Sequence, residues 1–330
     1  MLERIGRIAA YRARTVLITS VVLLVAAAIA GFGAFGVLKG EGFDDPASDS
    51  YKASERLEDV FGQVPELIVE VHARGGSVDA PEAADAGRRL TSALAGEEDI
   101  EGAISYWTTG VPALKAEDGT KALVIAHTDE DFDALPDGVR SALAADLAPD
   151  GPITVKIGGG AALGPEVNGQ VGKSLAIAEA IAVPITLILL VLAFGSVVAA
   201  LVPLAIGFVA IMGTFGELFV LGSLTDVSVF SINLTTALGL GLAIDYGLLI
   251  VARHRELVHG GATVPEAVVR TVQTAGRTIV FSAATVAAAL AVLLVFPMYF
   301  LRSFAYAGIG VVVISALAAL FIAPALLAVL

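Results

Sequence analysis

Residues 238–256, LGLGLAIDYGLLIVARHRE, put an aspartate inside an apolar run. Asp245 stands eight residues before Arg253, about 12 Å from the polar end of the run if the segment is helical. A charged side chain at such a depth in a membrane costs about 2.5–3.5 kcal/mol on insertion scales, and an aspartate is too short to reach the interface. Residues that persist at that cost mark ion pathways and proton relays. Tyr246 follows it, with a side chain turned about 100° further round the helix. Ala237, Gly241 and Asp245 share one helical face, and Gly239, Ala243 and Gly247 form a neighbouring strip. Small residues let another helix approach closely, so Gly239, Gly241 and Gly247 read as helix-packing positions. The carboxylate is therefore expected to face protein or a hydrated cavity. Its bland alternative is a structural hydrogen-bonding role without proton traffic.

The rest of the chain has the composition to match. Of 330 residues, 56% are hydrophobic and 16% charged, against roughly 45–50% and about 25% in soluble domains. The net charge of −13 excludes a basic nucleic-acid binder, and the absence of cysteine excludes disulfides, zinc–thiolate sites and thiol nucleophiles. The acid is concentrated in one place. Residues 39–173 hold 26 Asp and Glu against 11 Lys and Arg, a net of −15, whereas the remainder nets +2.

A membrane span needs about 20 apolar residues. Six runs qualify: 15–38, 176–194, 197–215, 227–251, 279–296 and 304–330. Arg4, Arg7, Arg12 and Arg14 precede the first, which places the N-terminus in the cytoplasm. That run of about 24 residues is too long for a signal-peptide core of 7–15. Loop 252–277 carries Arg253, Arg255, Arg270 and Arg277, so it too is expected inside. Both counts put the acidic segment outside. Within the loop, Val264, Ala267, Val268 and Val272 have helical spacing, and Pro265 suits a first turn. They predict a short amphipathic helix on the inner membrane surface. The domain plan is then 1–38 for the N-terminus and first span, 39–173 for the external domain, and 174–330 for the remaining spans.

The external segment alternates. Residues 66–73, 100–108, 121–128 and 153–157 read as strands, and 81–94 and 133–147 as helices. The order βαββαβ is that of a ferredoxin-like α+β domain. Gly158, Gly159 and Gly160 lack the spacing of a dinucleotide fingerprint and predict a flexible hinge. His254 and His259 are five residues apart, which splays their rings away from a shared metal, and a solvated interfacial loop accounts for them better. No metal or cofactor site and no catalytic set emerges, so the chain does not read as an enzyme. Glu179, in the outer third of the second span, is an accessory candidate that an interfacial position explains equally well. Tyr51, Tyr106 and Trp107 are the aromatic residues of note in the external domain, and none names a ligand.

The segment LGLGLAIDYGLLIVARHRE, the following EAVVRTVQTAGRTIVFSAATVAAA and the Phe194–Gly195–Ser196 hairpin together resemble the MMPL branch of the RND superfamily. One helix, an external porter domain and five more helices match the N-terminal half of such proteins. The resemblance implies an exporter driven by proton motive force, moving lipids or other hydrophobic compounds across the inner cell membrane. It also implies a proton relay at Asp245 and Tyr246, with Ser282 of the FSAAT stretch in support. Family members carry two such halves. This chain is accordingly expected to be a truncated piece, or a half that pairs with a second half or another copy of itself. The alternatives are a sterol-sensing-like lipid-binding module and an accessory subunit for protein translocation. The implied partners are membrane lipids, a hydrophobic substrate and protons.

Overall fold

In lipid every backbone polar group must be satisfied within its own segment, so long apolar runs form helices. The computed structural model describes residues 1–40, 42–61, 65–128, 132 and 134–329. Among them are six helices long and apolar enough to cross a membrane, the signature of a multi-pass membrane protein. The chain begins with α1 (Leu2–Tyr11), α2 (Ala13–Phe32) and the short α3 (Ala34–Val37). Next come α4 (Asp49–Phe61), β1 (Leu67–Ala73), α5 (Pro81–Leu94), β2 (Glu101–Ser105) and α6 (Tyr106–Thr109). They are followed by β3 (Lys121–His127), α7 (Asp137–Ala142), α8 (Ala144–Leu147) and β4 (Ile153–Gly158). The last five helices are α9 (Gly160–Phe194), α10 (Val197–Gly222), α11 (Ser231–His259), α12 (Val264–Ala291) and α13 (Tyr299–Val329). The residues form two compact units, Ala47–Gln170 and the remainder, Met1–Pro46 with Val171–Leu330.

The smaller unit is built on a four-stranded antiparallel sheet in the order β2-β3-β1-β4. Period-two alternation buries Leu67, Val69, Val71 and Ala73 on one face of β1. Ala122, Val124 and Ala126 of β3 share that core, which Leu90 and Leu94 of α5 and Val139 of α7 complete. Arg89 of α5 grips Asp146 of α8 with two hydrogen bonds, of 3.0 and 2.6 Å. The expected strand 100–108 stops at Ser105, because Ser105 and Thr108 form a reciprocal cap that starts α6. The expected helix 133–147 is two short helices broken at Leu143, and Asp133 lies outside the described residues.

The glycine run is no flexible hinge. Gly158 ends β4, and Gly159 takes a φ of +90° with the Glu66 carbonyl oxygen 2.2 Å from where a Cβ would sit. The backbone N–H of Ala161 then donates to that same carbonyl, so the glycines make a close-packed turn into α9.

In the larger unit α10, α11 and α13 meet around Ile206, Ala210, Ala243, Tyr246, Ile250 and Val311. The hairpin between α9 and α10 is capped by Ser196, whose hydroxyl accepts from the Ala199 N–H, while Arg255 of α11 donates to the Phe194 carbonyl at 2.6 Å. Loop 252–277 is not a separate surface helix. α11 continues to His259, and α12 starts at a Thr263–Glu266 capping box with Pro265 in its first turn, then runs unbroken to Ala291. Its apolar stripe faces protein instead: Val268 packs with Ala9 and Ala13, and Val272 with Ile5. The stripe's partner is thus α1, the arginine-bearing stretch before the first span. His254 is correspondingly buried, not solvated, at 8% exposure.

Candidate functional site

Asp245 lies at the centre of α11, fourteen residues from each end. At 1.5 Å per residue that is about 21 Å from either terminus. Its side chain is exposed in this chain, within a stripe of Asn233, Ala237, Gly241, Asp245 and Leu249 at four-residue spacing. Tyr246, one 100° step further round, points into the helical core and is 2% exposed. Its hydroxyl is buried and completes no hydrogen bond, although Ser282 of α12 approaches within reach of it. Ser282 is thus the polar neighbour of Tyr246, and Asp245, about 100° further back round the helix, lies on an exposed face.

The three glycines of α11 divide in the same way. A Cβ on Gly239 would meet Ile211 and Val311 side chains at 3.0 Å, and one on Gly247 would come within 2.6–2.9 Å of Pro203. A Cβ on Gly241 would meet nothing within 4 Å. Gly239 and Gly247 hold α11 against its neighbours, while Gly241 belongs to the uncovered stripe. Glu179 is half-buried on α9 and forms no hydrogen bond or ion pair among the described residues.

Another acid escaped the sequence reading. Glu217 lies in α10 and is half-buried, with no hydrogen bond or ion pair among the described residues. It packs over Gly310 of α13, where an added Cβ would fall 1.7 Å from the Glu217 Oε2. The third span was expected to end at residue 215, which put Glu217 beyond it. The helix runs on to Gly222, so the acid is inside. A lone acid between Phe215 and Leu218 was the available signal.

The smaller unit contains a cleft of about 620 Å³ lined by Phe132, Leu135, Leu147, Val155 and Ile157 among others. A polar cluster sits elsewhere in that unit. The Tyr106 hydroxyl donates to Asp79 at 2.8 Å, Lys115 also bonds Asp79, and the Trp107 indole donates to the Val78 carbonyl at 2.9 Å. Lys115, and then Tyr106, hold the Asp79 carboxyl below its ordinary value.

Among proteins of known sequence, the chain is similar to a Streptomyces coelicolor protein, 38% identical over 337 residues covering 99% of this chain and 46% of that relative. Trehalose monomycolate exporter MmpL3 of Mycobacterium tuberculosis is 32% identical over 334 residues, 97% of this chain and 35% of the exporter. Heme uptake protein MmpL11 of the same organism is 35% identical over 179 residues, 54% of this chain and 18% of that protein. The chain thus spans less than half the length of these relatives. The sequence model of the MMPL family matches residues 42–330, which takes in the Asp245–Tyr246 pair, Ser282 and most of both units. With that match over most of its length, the chain belongs to the MMPL family.

Proposed function

We propose that this chain is half of a proton-driven exporter of lipids or other hydrophobic compounds, completed by a second half or another copy of itself. The observation that carries the reading is the placement of Asp245, at mid-helix on an exposed stripe of small residues. Left against lipid, that carboxylate costs about 2.5–3.5 kcal/mol, so a polar or hydrated surface must cover it. A second helix laid along Ala237 and Gly241 supplies such a surface at close range. Asp245 then takes up the proton in the interface, and Tyr246, with Ser282 behind it, links the carboxylate to the core of its own half. The exporter MmpL3 among the relatives favours a lipid cargo.

In this proposal the smaller unit is an extracytoplasmic porter domain of ferredoxin-like form. The antiparallel order β2-β3-β1-β4 with helices α5 and α7 between strands supports that form. The arginines at the N-terminus and at 253–277 support an orientation with both inside the cell. The protein's work is proton-coupled movement without covalent chemistry.

Asp245→Asn in the complete transporter tests the relay. The amide keeps the volume but holds no exchangeable charge, and it is cheaper to bury than a carboxylate. Membrane abundance should stay at the wild-type level while proton-driven export is lost. Normal export at normal abundance would sink the relay and leave Asp245 a structural residue.

A further inference from the structure

We propose that the cleft between α2, α10 and α13 is a resident site for an acyl chain of a net-anionic phospholipid whose phosphate pairs with Arg12. The cleft holds about 570 Å³, within the range that encloses a small lipid-like ligand. Leu23, Leu24 and Ala27 of α2 line its deep part with Val209 and Gly213 of α10 and Ile314 of α13. Gly213 gives the floor without a side chain, because a Cβ there would meet Ile314 at 3.0 Å. None of the lining residues belongs to α11 or α12, so this cleft is separate from the Asp245 stripe.

The mouth differs in chemistry from the floor. Arg12 stands at the break between α1 and α2, with φ −123° and ψ 31°. It is exposed and has no ion pair or side-chain hydrogen bond among the described residues, whereas its neighbour Arg7 is taken by Glu3 at 2.5 Å. No carboxylate lines the cleft. Below Arg12 come Thr15, Thr19 and Ser20, three hydroxyls on the same wall. Elsewhere in the helices Thr214, Thr235 and Thr285 turn back to the carbonyl four residues earlier. Thr15, Thr19 and Ser20 make no such bond among the described residues, which leaves their hydroxyls free for a ligand.

The vertical spacing fits a phospholipid. Thr15 lies about 4.5 Å below Arg12 along the helix and Thr19 about 10.5 Å below. The interfacial layer of a bilayer is roughly 5–7 Å deep on each side, so a phosphate at Arg12 puts the ester carbonyls level with Thr15. Hydrocarbon begins near Thr19, where the lining turns to leucine. An anionic headgroup is selected over a zwitterionic one, because no acid at the mouth receives a choline or ethanolamine cation. Basic residues at a membrane surface favour anionic lipid on the same grounds.

The test uses the full chain purified in mild detergent, with phosphatidylglycerol or phosphatidylcholine added, and counts retained lipid by native mass spectrometry. One phosphatidylglycerol per chain should survive, and phosphatidylcholine should not. Arg12→Gln should weaken phosphatidylglycerol retention about tenfold, the effect of one lost charge-assisted hydrogen bond. Arg14→Gln, an exposed arginine that does not line the cleft, should change it little. Ser20→Phe should displace the lipid by filling the cleft. Equal retention of the two lipids would overturn the proposal, as would equal losses in Arg12→Gln and Arg14→Gln. Full retention by a folded Ser20→Phe would do the same; if that variant does not fold, the two arginine variants still decide.

Discussion

Gly247→Ala is the sharpest probe of how α11 is seated. The added Cβ would lie 2.6 Å from Pro203 Cγ, 2.7 Å from Pro203 Cβ and 2.9 Å from Pro203 Cα. Favourable carbon–carbon separations are about 3.5–4.0 Å, so α10 and α11 must part by about 1 Å. Neither side yields easily, since one contact is backbone and the others belong to a proline ring. Overpacking of this kind costs about 1–3 kcal/mol, and alanine's better helix propensity returns about 1 kcal/mol. The net expectation is a loss of about 0–2 kcal/mol. Gly241→Ala makes the same propensity gain with no clash, so it should stabilise this chain by up to about 1 kcal/mol. Gly239→Ala, facing two side chains at 3.0 Å, should fall between them. Thermal unfolding of the three purified variants in one mild detergent gives the order directly. A Gly247→Ala protein as stable as Gly241→Ala would refute the packing of α11 on α10 described above.

Three other perturbations have definite expected outcomes. Glu217→Gln replaces a half-buried acid, unpartnered among the described residues, with a neutral amide and should stabilise the larger unit by about 1 kcal/mol, raising the unfolding midpoint by about 2–4 °C; a lower midpoint would mean that the carboxylate has a stabilising partner. Asp79 is held in its charged form by Lys115 and Tyr106, so its contribution is complete above its ordinary value near 3.8 and is lost as pH falls through the lowered one. The emission of Trp107, the single tryptophan, should therefore report an acid transition below about pH 4, and Asp79→Asn should remove it. A cysteine at Ala262, between α11 and α12, should resist an impermeant thiol reagent in intact cells, and ready labelling would reverse the proposed orientation.

Length and charge made the spans legible, because a bilayer demands runs that no other environment favours. Their ends were less so. Residues 264–277 are amphipathic whether a helix lies on lipid or on another helix, and the choice of α1 as partner depends on tertiary packing. The same ambiguity hid α1 among the N-terminal arginines. α4 went unread because its 13 residues are mostly polar, although Leu57 and Val60 stand at helical spacing. In the smaller unit, alternation is plain in β1 and β3, which each bury one face, whereas β2 and β4 bury only Ser105 and Ile153. Glycines are legible as places where something comes close. Which neighbour arrives, as at Gly159 and Gly247, is written only in the fold.

The divergence of Asp245 and Tyr246 was readable from helical geometry, but the consequence was not. A tyrosine in the core and an aspartate on the surface mean that the pair cannot act as one hydrogen-bonded unit within this chain. The tyrosine is buried in the core with Ser282 beside it, while the acid is exposed, so in the proposed relay the acid's partners lie beyond α11's own bundle. Introducing bulk at Gly241 separates the two roles. A Cβ at Gly241 meets nothing within 4 Å and the stripe is exposed, so the isolated chain with Gly241→Leu should fold as before. In the complete transporter the same leucine would occupy the surface proposed to receive the second half, one turn from Asp245. Assembly or export should fail there while the isolated chain's unfolding midpoint is unchanged. Intact export by that variant would show that the stripe is not an interface, and the proton relay would then need another route to Asp245.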